Sequence, residues 1–114
     1  SFAGANMIAY EISKAAMNRL TLSVALSNAK HGLRCHAIVL GLMDTPMAIN
    51  TVADVTGVDR DTLRAKRNAQ VPLNAHMGDA WGTANAALFL ASDEAKFITG
   101  VLLPVDGGMS ARVG

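Results

Sequence analysis

The sequence predicts an α/β fold built on a parallel sheet. Two short apolar runs, Leu33 to Leu40 and Gly100 to Val105, read as buried strands. They are far apart in the chain, and helical patterns fill the space between them. A long helical segment comes before the first run. Strands joined by helices rather than tight turns pair in parallel.

Each element has its own signal. From Ala9 to about Lys30, apolar Ile12, Ala15, Ala16, Leu20, Val24 and Leu26 recur at helical spacing. Lys30 and His31 suit the negative end of that helix, and Gly32 suits its C-cap. Small residues, Ala16 and Ala25 among them, crowd the same segment and would let another helix approach closely. After the first strand, Asp44-Thr45-Pro46 is a helix-start signal. Residues 47 to 56 and 59 to 69 form two helical patterns broken at Gly57, with Asp59 as N-cap and a basic face of Arg60, Arg64, Lys66 and Arg67. Pro72 to Asp79 is a connector. Thr83 to Ala91 reads as an amphipathic helix, and Asp106-Gly107-Gly108 as the turn after the last strand.

Composition narrows the function classes. The chain has 114 residues, enough for one domain or less, and 51% of them are hydrophobic. Ten basic and nine acidic side chains leave a net charge of +1, with no basic stripe for nucleic acid or an anionic membrane. No apolar run approaches the ~20 residues of a membrane span. Residues 1 to 7 carry no secretory signal pattern. Cys35 is the single cysteine, so no internal disulfide forms, and a reducing cytoplasm is the expected setting. His31, His36 and His76 are scattered without metal-ligand spacing, so no metal is expected. Trp81 is expected to pack, with a subunit contact as the alternative place for its indole.

Tyr10 and Lys14 stand four apart on the first helix, and therefore on one face. A phenol loses its proton near pH ~10, and a neighbouring cation favours the phenolate. Such a pair can exchange a proton with a hydroxyl or carbonyl near neutral pH. Downstream come Gly41-Leu42-Met43-Asp44-Thr45, then Ile98-Thr99-Gly100 and Val105-Asp106-Gly107-Gly108. In this order and at these separations the motifs resemble the short-chain dehydrogenase/reductase family, over essentially the whole chain.

The resemblance implies a Rossmann-like, doubly wound parallel sheet, of which residues 1–114 are the C-terminal half. It implies a hydride transfer between NAD or NADP and a small-molecule alcohol or ketone. Tyr10 would be the acid/base. Lys14 would favour the phenolate and bind the nicotinamide ribose. Leu40, Gly41, Met43 and Thr45, with Tyr10 and Lys14, would hold the cofactor, and Leu42 and Met47 would face the substrate. Residues 47–70 would form a substrate lid. A homodimer or homotetramer is implied, with the first helix at a subunit contact. The family usually has proline where this chain has Leu40 and asparagine where it has His36.

The chain lacks a glycine-rich phosphate loop between a strand and a helix. The resemblance places that loop upstream, together with the family's substrate-holding serine and water-ordering asparagine. Ser1 lies too close to Tyr10 for the serine role, and Ser13 reads as a small helix residue. Activity is then expected to need the upstream half. The alternative is a truncated or split, catalytically inactive relative that serves as a structural or binding subunit.

Overall fold

The computed structural model describes residues 8–113. The elements run α1 (Ile8–Asn28), β1 (His36–Leu40), α2 (Val52–Thr56), α3 (Arg60–Asn68), α4 (Ala80–Ala91) and β2 (Val101–Val105). β1 and β2 pair with each other. The Gly100 N–H donates to the Cys35 carbonyl at one end of the pair, and the Gly41 N–H to the Val105 carbonyl at the other. Both partners advance together along the chain, so the strands are parallel. The expected α/β class with a parallel sheet is what forms.

The chain divides into two compact units. One comprises residues up to Ala37 with Ser92–Leu103, and the other Ile38–Ala91 with Pro104 onward. In the first unit, α1 is continuous for 21 residues and ends in a short tighter turn, Ala29–His31. Gly32 then takes φ 75°, the left-handed cap expected of it. Only Thr21 and Ala25 of α1 are buried. A Cβ on Gly100 would lie 3.6 Å from the Ala25 Cβ, so the two small residues set a close helix-to-strand approach. Ala25 therefore faces its own unit, which corrects the expectation of a subunit contact there. Ala16 is exposed.

In the second unit, Ile49, Val71 and Met77 form the buried core, with Leu42, Leu63 and Met109 packed against it. Thr45 Oγ1 accepts the Ala48 N–H at 3.2 Å, as its helix-start role requires. The helix begins with a wide turn over Met47–Thr51 before α2. Gly57 breaks it at φ 75°. Asp59 caps α3 by accepting the Thr62 N–H at 3.1 Å.

Four expectations need correction. β1 starts at His36, not Leu33, because Cys35 gives its N–H to Thr99 Oγ1 instead. α4 starts three residues early, at Ala80, because Asp79 accepts the Gly82 N–H at 3.0 Å and caps it. Nor is α4 amphipathic within this chain: only Leu90 is buried, Leu88 is exposed, and Trp81 is 75% exposed rather than packed. Among the described residues no helix is long and apolar enough to cross a membrane.

Candidate active site

Tyr10 and Lys14 sit in the first two turns of α1. The Lys14 Nζ lies 5.4 Å from the centre of the Tyr10 ring, over its face. Tyr10 is 53% exposed. Continuing the helical repeat, Tyr10, Lys14, Thr21 and Ala25 fall along one side of α1. Farther down the helix, that side is the one buried against Gly100. Ser13 spends its hydroxyl on the Tyr10 carbonyl at 2.7 Å, the part of a small helix residue.

The loop from Leu40 to Thr45 lies in the second unit, at the carboxyl end of β1, where ligands bind in open α/β sheets. Gly41 anchors its start. Its N–H donates to the Val105 carbonyl at 3.2 Å. A Cβ there would stand 2.6 Å from the Asp106 Cβ and 2.8 Å from its Cα, so only glycine fits. Asp106 in turn shapes the turn that follows, accepting the Gly108 N–H at 2.9 Å and the Ser110 N–H at 3.0 Å. Its carboxyl is held below the usual carboxylate range. The Ser110 side-chain hydrogen bond is the largest cause, partial desolvation opposes it, and the N–H groups of Ser110, Gly108 and Met109 add to it.

Gly78 anchors the far side of the loop. It donates to the Leu42 carbonyl at 3.1 Å and accepts from the Asp44 N–H at 2.9 Å. Met43 and Gly78 thus form a parallel bridge. In extended backbone, neighbouring residues present their peptide groups to opposite sides. Leu42 and Asp44 turn theirs toward Gly78, so Met43 turns its N–H and C=O the other way. Among the described residues those two groups have no protein partner. A donor and an acceptor side by side on a free edge match a primary amide, which offers the complementary pair.

Thr45 Oγ1 is occupied as an acceptor by Ala48, and its proton is left to donate. Leu42 and Met43 also line a cavity of about 480 Å³ with Val71, Asn74, Met77 and Asp106. Met47 is 76% exposed, and Leu40 is 51% exposed. Arg64 of α3 reaches Asp44 of the loop at 3.4 Å. His36 lies in β1, and its Nδ1 accepts the Val101 N–H at 3.4 Å. Tyr10 and Lys14 are thus brought together in one unit, and Gly41, Leu42, Met43 and Thr45 in the other.

The bridge from Gly78 is the feature that the sequence reading missed by treating residues 72 to 79 as a plain connector. No local signal marks it, because the partner of Gly78 is Met43, far away in the chain.

Residues 1–110 match the family profile described as enoyl-(acyl carrier protein) reductase. The chain is 41% identical over 112 residues to 2,5-dichloro-2,5-cyclohexadiene-1,4-diol dehydrogenase of Sphingobium indicum, covering 98% of this chain and 41% of that enzyme. It is 37% identical to a 7alpha-hydroxysteroid dehydrogenase of Clostridium sardiniense, covering 90% of this chain and 36% of that enzyme. Among solved structures, the ligand-free aldohexose dehydrogenase of Thermoplasma acidophilum superposes with a TM-score of 0.87 at 37% identity, over 99% of this chain and 45% of that one. The chain belongs to the short-chain dehydrogenase/reductase family. Its fold is that family's Rossmann-like one, and the family's dehydrogenases use NAD or NADP. It spans about two fifths of the length of the curated relatives it matches.

Proposed function

We propose that this chain belongs to an NAD(P)-dependent oxidoreductase acting at an alcohol or carbonyl carbon, and that it supplies the proton-transfer pair and the nicotinamide-holding loop. The outward Met43 peptide edge carries this reading. It lies at the carboxyl end of a parallel strand and offers the donor and acceptor that the nicotinamide carboxamide needs. Gly41 and Gly78 hold that edge in place, and Thr45 keeps a proton to donate beside it.

When bound, the nicotinamide supplies the hydride acceptor or donor. Tyr10 handles the proton at its phenol oxygen, giving it to a carbonyl in reduction or taking it from a hydroxyl in oxidation. Lys14, held over the Tyr10 ring, assists it and binds the ribose hydroxyls. Leu42 and Met47 face the substrate. Residues 47–70 act as a lid, with α3 tied to the loop through Arg64 and Asp44. The complete protein is a closed dimer or tetramer. The two dehydrogenases compared above by sequence act, by name, on a cyclohexadiene diol and on a hydroxysteroid, each a hydroxyl on a carbocyclic ring. A cyclic secondary alcohol is therefore the substrate class to test first.

The test is dinucleotide-dependent oxidation by the complete protein across a panel of cyclohexanols, hydroxysteroids and aldohexoses. Reduced nicotinamide should form only when dinucleotide and alcohol are both present. Failure to bind either NAD or NADP would contradict the proposal. Tight dinucleotide binding without turnover on any alcohol would instead favour a binding subunit.

A further inference from the structure

We propose that Asn68 is a positioning residue for the cofactor loop and acts through Met77 and Gly78. The inference rests on the reading that the Met43 edge receives the nicotinamide carboxamide.

Asn68 is the last residue of α3. Its Oδ1 accepts the Met77 N–H at 2.9 Å. The His76 Nδ1–H donates to the Met77 carbonyl at 2.7 Å. The Met77 side chain is only 3% exposed, packed with Ile49 and Val71. Both peptide groups and the side chain of Met77 are therefore fixed. Gly78 comes next and runs along the inner edge of the loop, bonded to Leu42 and Asp44. Its lack of a side chain is part of the fit, because a Cβ there would stand 2.7 Å from the Met43 sulfur. The links run Asn68, Met77, Gly78, then Leu42 and Asp44. Their result is a Met43 peptide that points outward before any ligand arrives.

This device sets affinity and not chemistry. A loop that spends only a fraction of its time in the binding geometry raises the apparent Kd by the inverse of that fraction. Asn68→Leu keeps the side chain's size and removes the acceptor, leaving a part-buried N–H without a partner. A loss of this kind weakens the held geometry roughly tenfold. Asn68→Asp keeps an acceptor oxygen in the same place.

The experiment measures dinucleotide Kd, kcat and amide hydrogen exchange in the complete protein. Asn68→Leu should raise the dinucleotide Kd roughly tenfold, leave kcat within about twofold, and speed exchange at the Asp44 and Gly78 amides. Asn68→Asp should restore all three toward wild type. A wild-type Kd in Asn68→Leu would overturn the proposal, and so would loss of kcat with unchanged Asp44 exchange. If Asn68→Leu does not fold, Gly78→Ala is the second probe. It should raise Kd by pushing on Met43, and Gly78→Ala with Met43→Ala should reverse that rise. No reversal would overturn the account. A wild-type protein that binds neither NAD nor NADP would refute the functional reading itself, which is a different result from a variant that binds normally.

Discussion

Gly41 and Gly78 flank the same loop, yet they tolerate a methyl group differently. At Gly41 a Cβ would meet the Cα and Cβ of Asp106, and neither can move without β2. Gly41→Ala should cost about 1–3 kcal/mol, read as a lowered midpoint in denaturant. At Gly78 the obstacle is the end of a flexible methionine, so Gly78→Ala should cost less stability than Gly41→Ala. Asp106 gives a pH prediction. Its carboxyl is held below its ordinary value of 3.8. A lowered folded value means that the unfolded chain binds the proton more readily. The carboxylate's stabilisation is therefore complete above the ordinary value and is lost as pH falls through the lowered one. Exchange at the Gly108 and Ser110 amides should quicken over that acid range in wild type, and Asp106→Asn should flatten the response. The Tyr10 and Lys14 pairing was legible because four residues make one helical step, and that geometry is local. The Gly78 bridge was not legible, because its partner Met43 lies 35 positions away and no local spacing encodes it.

At the scale of elements, caps and breaks were readable and strand limits were not. Gly32, Gly57 and Asp59 act where the sequence put them, since each satisfies a nearby backbone need. Asp59→Ala should cost about 1 kcal/mol, measured by thermal melting, through loss of the α3 cap. β1 begins late because Thr99 takes the Cys35 N–H, a pairing that residues 33 to 40 do not reveal. α4 begins early because Asp79 serves as its cap. That is a local signal, but the connector reading hid it. α3 is tied to the loop by Arg64 and Asp44, both substantially exposed, and such pairs are worth about 0–1 kcal/mol. A tie this weak suits a lid. Residues 47–70, as far as the Asn68 anchor at their end, should exchange amide hydrogens faster than β2 without ligand and become protected when dinucleotide and substrate bind. Equal exchange in the two segments of the apo protein would contradict the lid.

At the scale of the whole molecule, α1 has two faces with separate roles. Tyr10, Lys14, Thr21 and Ala25 share one side. Ile8, Ile12, Ala16 and Leu20 line another, and Ile8, Ile12 and Leu20 are 54%, 63% and 61% exposed. On the proposed dimer or tetramer, that apolar stripe would receive a helix from a second subunit, and Ala16 at its middle would set the approach distance. Ala16→Arg should lower the mass of the complete protein in light scattering, whereas Ala25→Arg should unfold it, because Ala25 is fully buried. The fold class and the order of chemical motifs were legible in the sequence, since both follow from periodicity and spacing. The outward Met43 edge needed the backbone, because a peptide's direction depends on what pairs with its neighbours. The central claim is that Tyr10 moves the proton while the Met43 loop holds the nicotinamide. The most direct measurement is turnover and dinucleotide Kd for Tyr10→Phe in the complete protein. The account predicts that turnover falls by at least ~10²–10⁴-fold, with melting temperature near wild type and dinucleotide affinity weakened by no more than about tenfold, the worth of one hydrogen bond. Turnover close to wild type in Tyr10→Phe would contradict it.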